Sequence, residues 1–261
     1  MSIQLKHPSH ILFPKKKLVN FLIVIGLYLI GLFAVFLFRP SYLLNILIVY
    51  LPGLIYLFFI IKNSRKKILI FGLLSLLFII PVEILARLTD SWDVLSQFPR
   101  ILGIAPIENI VYALINILYP LCFYEFFYDE DRNAKISKNW KYLLGIFISF
   151  FVLVFSLYFI FPEILKLNYW IIGICIYFPV FILLIKYKRH IVKRLIVVGL
   201  VLGIMYGLHE LLSMYLGHWW WPGTYLIPIN IGGYIYPLDD LIIWLVFSNV
   251  AVISGYEVMW D

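Results

Sequence analysis

The chain has only 14 acidic residues in 261, so each can be asked what chemistry it could do. Many of those outside the polar connections recur as partners: Glu83 with Glu210, Glu108 with Asp239, Glu125 with Glu257. Asp240 has Asn109 as its counterpart. Glu83 (in Pro-Val-Glu-Ile-Leu) and Glu210 (in His-Glu-Leu-Leu) lie inside apolar runs. A carboxylate at the centre of a membrane helix costs about 2.5–3.5 kcal/mol. Each therefore needs a partner, a wet cavity or a bound proton, and a carboxyl holding a proton in an apolar site can serve as a general acid. The tetrapeptides Pro106-Ile107-Glu108-Asn109 and Pro237-Leu238-Asp239-Asp240 open the next apolar runs. Proline and acids both suit a helix start, so these positions also have a purely structural reading.

Other chemistries are excluded by what is missing. Asp239-Asp240 has no third acid and no matching second cluster, which argues against magnesium-dependent diphosphate chemistry. His209-Glu210 is not followed by a second histidine; Ser213 stands there, so no zinc-protease helix exists. There is no phosphate loop and no dinucleotide glycine motif. No metal and no cofactor are expected. Cys122 and Cys175 give neither a disulfide framework nor metal spacing.

Aromatic residues accompany the acids. Trp92 follows Glu83; Trp219, Trp220 and Trp221 follow Glu210. They suit an interfacial aromatic belt, or the walls of a site that stabilises a cation through ring faces. His209 reads first as a hydrogen-bonded packing residue, with a proton role as the alternative. Gly199, Gly203 and Gly207 recur every four residues, the pattern of close helix packing.

The elements that position these groups follow from hydropathy. Hydrophobic types make up 64% and charged types 13% of the chain, far from the roughly 45–50% and 25% of soluble domains, so a soluble enzyme is excluded. Eight apolar runs stand out, at about 18–38, 42–61, 68–88, 107–128, 142–161, 168–185, 195–216 and 238–259, each long enough to span a bilayer as a helix. The first reads as a span and not a removed signal peptide. Basic residues alternate with the runs. Lys6, Lys15, Lys16 and Lys17 precede the first. Lys62, Arg65, Lys66 and Lys67 follow the second. Arg132, Lys135, Lys138 and Lys141 follow the fourth. Lys186, Lys188, Arg189, Lys193 and Arg194 follow the sixth. Arg39, Arg87, Arg100 and Lys166 fall on the other side. With 17 of 21 basic residues on one side, the positive-inside rule places both termini in the cytoplasm of a multi-pass cell-membrane protein. The net charge of +7 is then an orientation signal, and no nucleic-acid partner is expected.

The paired acids recur at 127 to 132 residues, half the chain. The expected fold is an all-α polytopic membrane bundle of about eight transmembrane helices. It divides into parallel four-helix repeats at 1–135 and 136–261, related by an axis along the membrane normal.

An acid in a span, then Trp, then Gly (Gly103; Gly232, Gly233), then Pro-x-acid-acid opening the next span resembles the integral-membrane lycopene cyclase domain family. In that family the domain occurs twice, and this chain resembles the fused form along both halves. The resemblance implies redox-neutral cyclisation of lycopene ends to ionone rings, with catalytic carboxyls at Glu83, Glu108, Glu210, Asp239 and Asp240. The first copy departs from the family in ending its tetrapeptide at Asn109, and the second in its aspartate at the first acid position. Trp92, Asn109, His209, Trp219, Trp220 and Trp221 are the candidate substrate contacts, with a hydrophobic isoprenoid and membrane lipid as partners. Two other functions fit the residues: a non-catalytic protein that binds a polyisoprenoid or lipid, and a small proton-coupled transporter using the paired acids.

Overall fold

A computed structural model describes residues 15–131, 135–161 and 169–260. Lys6, Arg132, Glu163, Lys166, Asp261 and the side chain of Cys175 lie outside the described residues. The chain is helical through α1 (Lys15–Phe38), α2 (Tyr42–Ile60), α3 (Arg65–Leu88), α4 (Ile107–Asp129), α5 (Trp140–Ile160), α6 (Tyr169–Lys188), α7 (Val192–Tyr215) and α8 (Leu238–Met259). It is a polytopic bundle of apolar helices. The last turn of α4, Glu125–Asp129, and the segment Leu241–Phe247 of α8 are π-helical.

Among the described residues, seven stretches are long and apolar enough to cross a membrane, not the eight expected from the sequence. The difference lies in Ile176–Tyr215, a continuous 40-residue stretch that includes most of α6 and all of α7. Straight, it would measure about 60 Å, twice the hydrocarbon thickness. It reverses at the 3₁₀ turn Arg189–Ile191. Along α6, Gly173 lies against Ile243 of α8 and Lys188 reaches Glu257. Along α7 the order inverts: Gly199 faces Val250, Gly203 faces Val246 and Gly207 faces Leu241. A Cβ on Gly199 would sit 2.9 Å from the Val246 carbonyl oxygen, so these glycines set the approach of α7 to α8, as their spacing suggested.

The bundle has a basic end. Lys17 Nζ donates to the Phe127 carbonyl (3.0 Å), and Lys188 Nζ to that of Trp260 (3.2 Å). Ile136 bridges Trp260. The amides of Lys62, Asn63 and Ser64 donate to the Asp131 carboxylate at 2.6, 2.9 and 2.8 Å, holding the α2–α3 turn to the end of α4. Burial pushes the Asp131 carboxyl up, but those amides outweigh it and hold it below the usual aspartate range. The opposite end carries Arg39, bonded to Tyr215 (3.1 Å), and the Arg87–Asp93–Arg100 cluster.

Contacts between the halves are reciprocal. At the basic end Tyr256 OH donates to Glu125, and Tyr124 bonds Glu257. Each copy's Tyr-Glu pair thus crosses to the other. At the opposite end, Asp93–Val94 (β1) pairs antiparallel with Trp219–Trp220 (β2). Asp93 there opposes Trp220, its own counterpart at the 127-residue spacing of Glu83 and Glu210. A second hairpin, Pro228–Ile231 (β3) with Tyr234–Pro237 (β4), turns at Gly232 and Gly233. Their φ of 60° and 89° is a conformation glycine adopts at little cost. The spacing between copies is 131 at Asp239 and Asp240 but 132 at Tyr256 and Glu257. A π turn accommodates one extra residue in a helix, and Leu241–Phe247 lies between those positions.

The outermost helices differ between halves. α1 packs closely on α2, with Gly31 so near Ile48 and Val49 that a Cβ would lie 2.8 Å from backbone atoms of each. α5 lies against α3 and α8 instead.

Candidate functional site

Towards the ends farthest from the basic face, α3, α4, α7 and α8, with Tyr177 of α6, line a cavity of about 120 Å³. Glu83, Asn109, Glu210 and Asp240 all line it, each 1–2% exposed. Glu83 on α3 meets Asn109, the last residue of the first Pro-x-acid tetrapeptide, and Glu210 on α7 meets Asp240, the last of the second. The remaining lining is mostly aromatic and aliphatic.

The two pairs differ in chemistry. Asn109 Nδ2 donates to Glu83 Oε1 at 2.6 Å, and Trp92 Nε1 approaches Oε2 at 3.5 Å. Glu83 therefore faces N–H donors on both oxygens and is held as an acceptor. Glu210 is hydrogen-bonded to the Asp240 carboxyl, and accepts from Tyr112 OH (3.4 Å) and Tyr236 OH (3.3 Å). Ionised carboxylates only accept hydrogen bonds, so a carboxyl–carboxyl bond exists only while one partner carries a proton. The cavity wall thus carries two adjoining carboxyls that can share a proton and a third that accepts from N–H groups. Tyr236, just outside α8, is pushed above the usual phenol range by burial and by Glu210 and Asp240.

Aromatic rings close the cavity. Trp92 stacks on its counterpart Trp219 (centroids 6.3 Å, planes at 24°) and meets Trp244 edge-on at 4.8 Å. Trp219 also packs on Tyr112 at 5.7 Å.

The other expected site residues lie elsewhere. Glu108 is fully buried, but it accepts from the amides of Gln97 (2.5 Å) and Phe98 (3.2 Å) and from Ser96 Oγ (2.9 Å). Asp239 does the same for the amides of Leu226 (2.7 Å) and Ile227 (3.3 Å). These two counterparts fasten the outer loops to the starts of α4 and α8 and do not line the cavity. His209 is buried behind it, its Nε2 3.1 Å from Asn45 Oδ1 and 3.4 Å from Ser213 Oγ. His218 joins that cluster through Asn45 (3.3 Å) and is held below the usual imidazole range by burial. Trp221 packs on Tyr236 at 4.9 Å. Trp220 is 40% exposed.

The structure adds lining residues absent from the sequence expectation: Tyr112 and Asn116 on α4, Trp244 and Ser248 on α8. Both sets step from the tetrapeptide at helical spacing, and at 132 residues Tyr112 corresponds to Trp244 and Asn116 to Ser248. The periodicity was readable; the one-residue change in spacing across the π turn hid the match.

The fold and site together define the class: a polytopic helical membrane protein with an apolar, aromatic-walled cavity carrying buried carboxyls. Comparison with known proteins adds no relative, since no protein-family model, no curated protein and no solved structure matches the chain.

Proposed function

We propose that the protein is an acid-catalysed cyclase of isoprenoid chain ends, lycopene being the expected substrate. One observation carries the reading: two adjoining carboxyls, Glu210 and Asp240, and an N–H-bound carboxyl, Glu83, line one apolar cavity. Two carboxyl sites with opposed proton roles are what acid–base chemistry requires. The shared proton of Glu210–Asp240 passes to the terminal carbon–carbon double bond: an O–H bond breaks, a C–H bond forms and a carbocation results. A neighbouring double bond attacks that cation and closes a six-membered ring. Glu83 then removes a proton from the carbon beside the new cation, leaving a ring double bond. Protons balance and no electrons are exchanged. Trp92, Trp219 and Trp244 present ring faces and edges where the cation forms, and face contacts stabilise it. Glu108 and Asp239 position the loops that carry the tryptophans. A cavity of about 120 Å³ approaches the roughly 150 Å³ that takes up benzene. It matches one chain end, with the remaining chain lying outside.

The same reading takes the chain as a cell-membrane protein of eight crossings, α6 and α7 counted separately, in two parallel four-helix repeats. The basic end and both termini then face the cytoplasm. The test is expression in cells that accumulate lycopene, followed by pigment chromatography. Ring-containing products are expected; unchanged lycopene with the protein correctly inserted overturns the proposal.

A further inference from the structure

The half of the bundle between α1, α2, α4 and α7 holds a cluster of phenols that the cyclase reading does not use. Tyr50 is at its centre. Its ring lies 6.0 Å from Tyr28, 6.1 Å from Tyr119, 5.3 Å from Tyr206 and 6.0 Å from Tyr112. All five are buried to within 4%. The hydroxyls of Tyr50, Tyr119 and Tyr206 make no hydrogen bond to any described residue. Buried hydroxyls need partners, and where neighbouring hydroxyls have none from the protein a shared water can supply them. Tyr28 OH donates to the Met205 carbonyl and is also bonded to the His209 backbone amide.

The cluster has polar groups at both ends. Towards the cavity, Tyr112 OH reaches Glu210. Towards the basic end, α4 carries Tyr119, Cys122 and Glu125 at successive three-residue steps, all buried. Glu125 bonds Lys67 at 3.1 Å and accepts from Tyr256. From Tyr112 to Glu125 is 13 residues, about 20 Å of helix, so the run covers most of the hydrocarbon depth.

The run is unequal between the two carboxyl sites. At the repeat spacings Tyr50 recurs as Tyr177, which packs on Trp244 at the cavity, but Tyr119 corresponds to Ala251 and Tyr206 to Ile79. Among the described residues, two of the three phenols therefore have no counterpart on the side of Glu83 and Asn109, where the second acid is replaced by an amide.

We propose that Tyr50, Tyr119 and Tyr206, with the water their hydroxyls require, form a proton wire from Glu125 at the basic end to the Glu210–Asp240 pair. The inference rests on the reading of that pair as the proton donor. It adds how the donor is recharged when the proton released by the substrate leaves by another route. The wire ends at the cavity, where Tyr236 OH bonds Glu210 and Trp221 packs on Tyr236.

The test is infrared spectroscopy of the full-length protein in lipid nanodiscs on transfer from water to deuterated water. The carboxylic C=O band lost in Asp240→Asn reports the pair. In the wild type its deuterium shift is expected to be prompt. Tyr206→Phe and Tyr119→Phe, which delete a hydroxyl that makes no bond to a described residue and keep the ring, should each slow it at least tenfold. Tyr158→Phe on α5 should not. Wild-type exchange in both phenylalanine variants, with unchanged melting, overturns the wire, as does the absence of any carboxylic band sensitive to Asp240→Asn. Dissipation of a pH gradient across liposomes by the protein overturns the dead end. Tyrosine-dependent exchange in a protein that forms no ring products leaves the wire standing and removes the cyclase alone.

Discussion

Asp240→Asn turns the second carboxyl pair into a copy of the first, so the molecule contains its own template for the outcome. In the first copy Asn109 Nδ2 reaches Glu83 Oε1 at 2.6 Å; the introduced amide would reach Glu210 in the same way. The substitution is nearly isosteric, and it replaces one carboxyl of the pair by an amide that can donate to the remaining carboxylate. Hydrogen bonds to charged groups contribute about 1.5–3 kcal/mol, comparable with the bond removed, so the melting temperature should move by only a few degrees. The chemistry should suffer much more. The variant has no proton shared between carboxyls, and general acid catalysis is worth about 10²–10⁴-fold. At about 1.36 kcal/mol per decade, that is roughly 3–5 kcal/mol of barrier. Chromatography of pigments at matched protein levels reads the loss, and the infrared spectrum should lose one carboxylic C=O band. Ring products within tenfold of wild type from a folded Asp240→Asn protein would refute the assignment of the proton to this pair.

Three further outcomes follow from packing and charge. Lys67→Met leaves Glu125 buried without its cation and should cost about 3–5 kcal/mol, whereas Lys67→Met with Glu125→Gln should recover much of that loss. Denaturation of purified protein in micelles measures both, and equal losses would contradict the pairing. Gly31→Leu should lower the melting temperature, because a Cβ there lies 2.8 Å from backbone atoms of α2 that cannot move aside and overpacking costs about 1–3 kcal/mol. Gly26→Ala, with nothing within 4 Å, should instead stabilise α1 by about 0.5–1 kcal/mol. Asp131 is depressed in the folded state by the amides of Lys62, Asn63 and Ser64, so its contribution is present above the unfolded aspartate value of about 3.9 and fades as pH falls through the folded value. The excess melting temperature of wild type over Asp131→Asn should shrink on acidification in that window; an excess that grows would reverse the sign.

The helices were legible because composition and charge act over whole segments. Twenty apolar residues in a row have few stable states in a bilayer other than a helix. The turn at Arg189–Ile191 was marked by Lys186, Lys188, Lys193 and Arg194 on either side, although the helical stretch is interrupted only by the 3₁₀ turn at which it reverses. What hydropathy could not show was lateral packing. The Gly31 contact between α1 and α2, and the placing of α5 on α3 and α8, depend on side-chain shape at single positions. The short strands at Trp219–Trp220 and Pro228–Ile231 escaped for another reason: they lie in connections, where pairing forms them and no local periodicity does.

The site was half legible, and the half that was missed explains the half that was found. Repetition pointed to Glu83, Asn109, Glu210 and Asp240, and these meet at the cavity; it pointed equally to Glu108 and Asp239, which bind loop amides. Both kinds recur because a repeat copies structural and chemical residues alike, so recurrence cannot rank them. Departures from the repeat carry the sharper information. Asn109 stands where its partner is Asp240, giving one site of two carboxyls and one of a carboxyl with an amide in place of two alike. The phenols Tyr119 and Tyr206 stand where their counterparts are Ala251 and Ile79, and they lead to the site of two carboxyls. Two independent breaks in the symmetry, one in the cavity wall and one along the bundle, single out the same carboxyls. A structural duplication has no reason to align them; the proposed division of labour between proton donor and proton acceptor would.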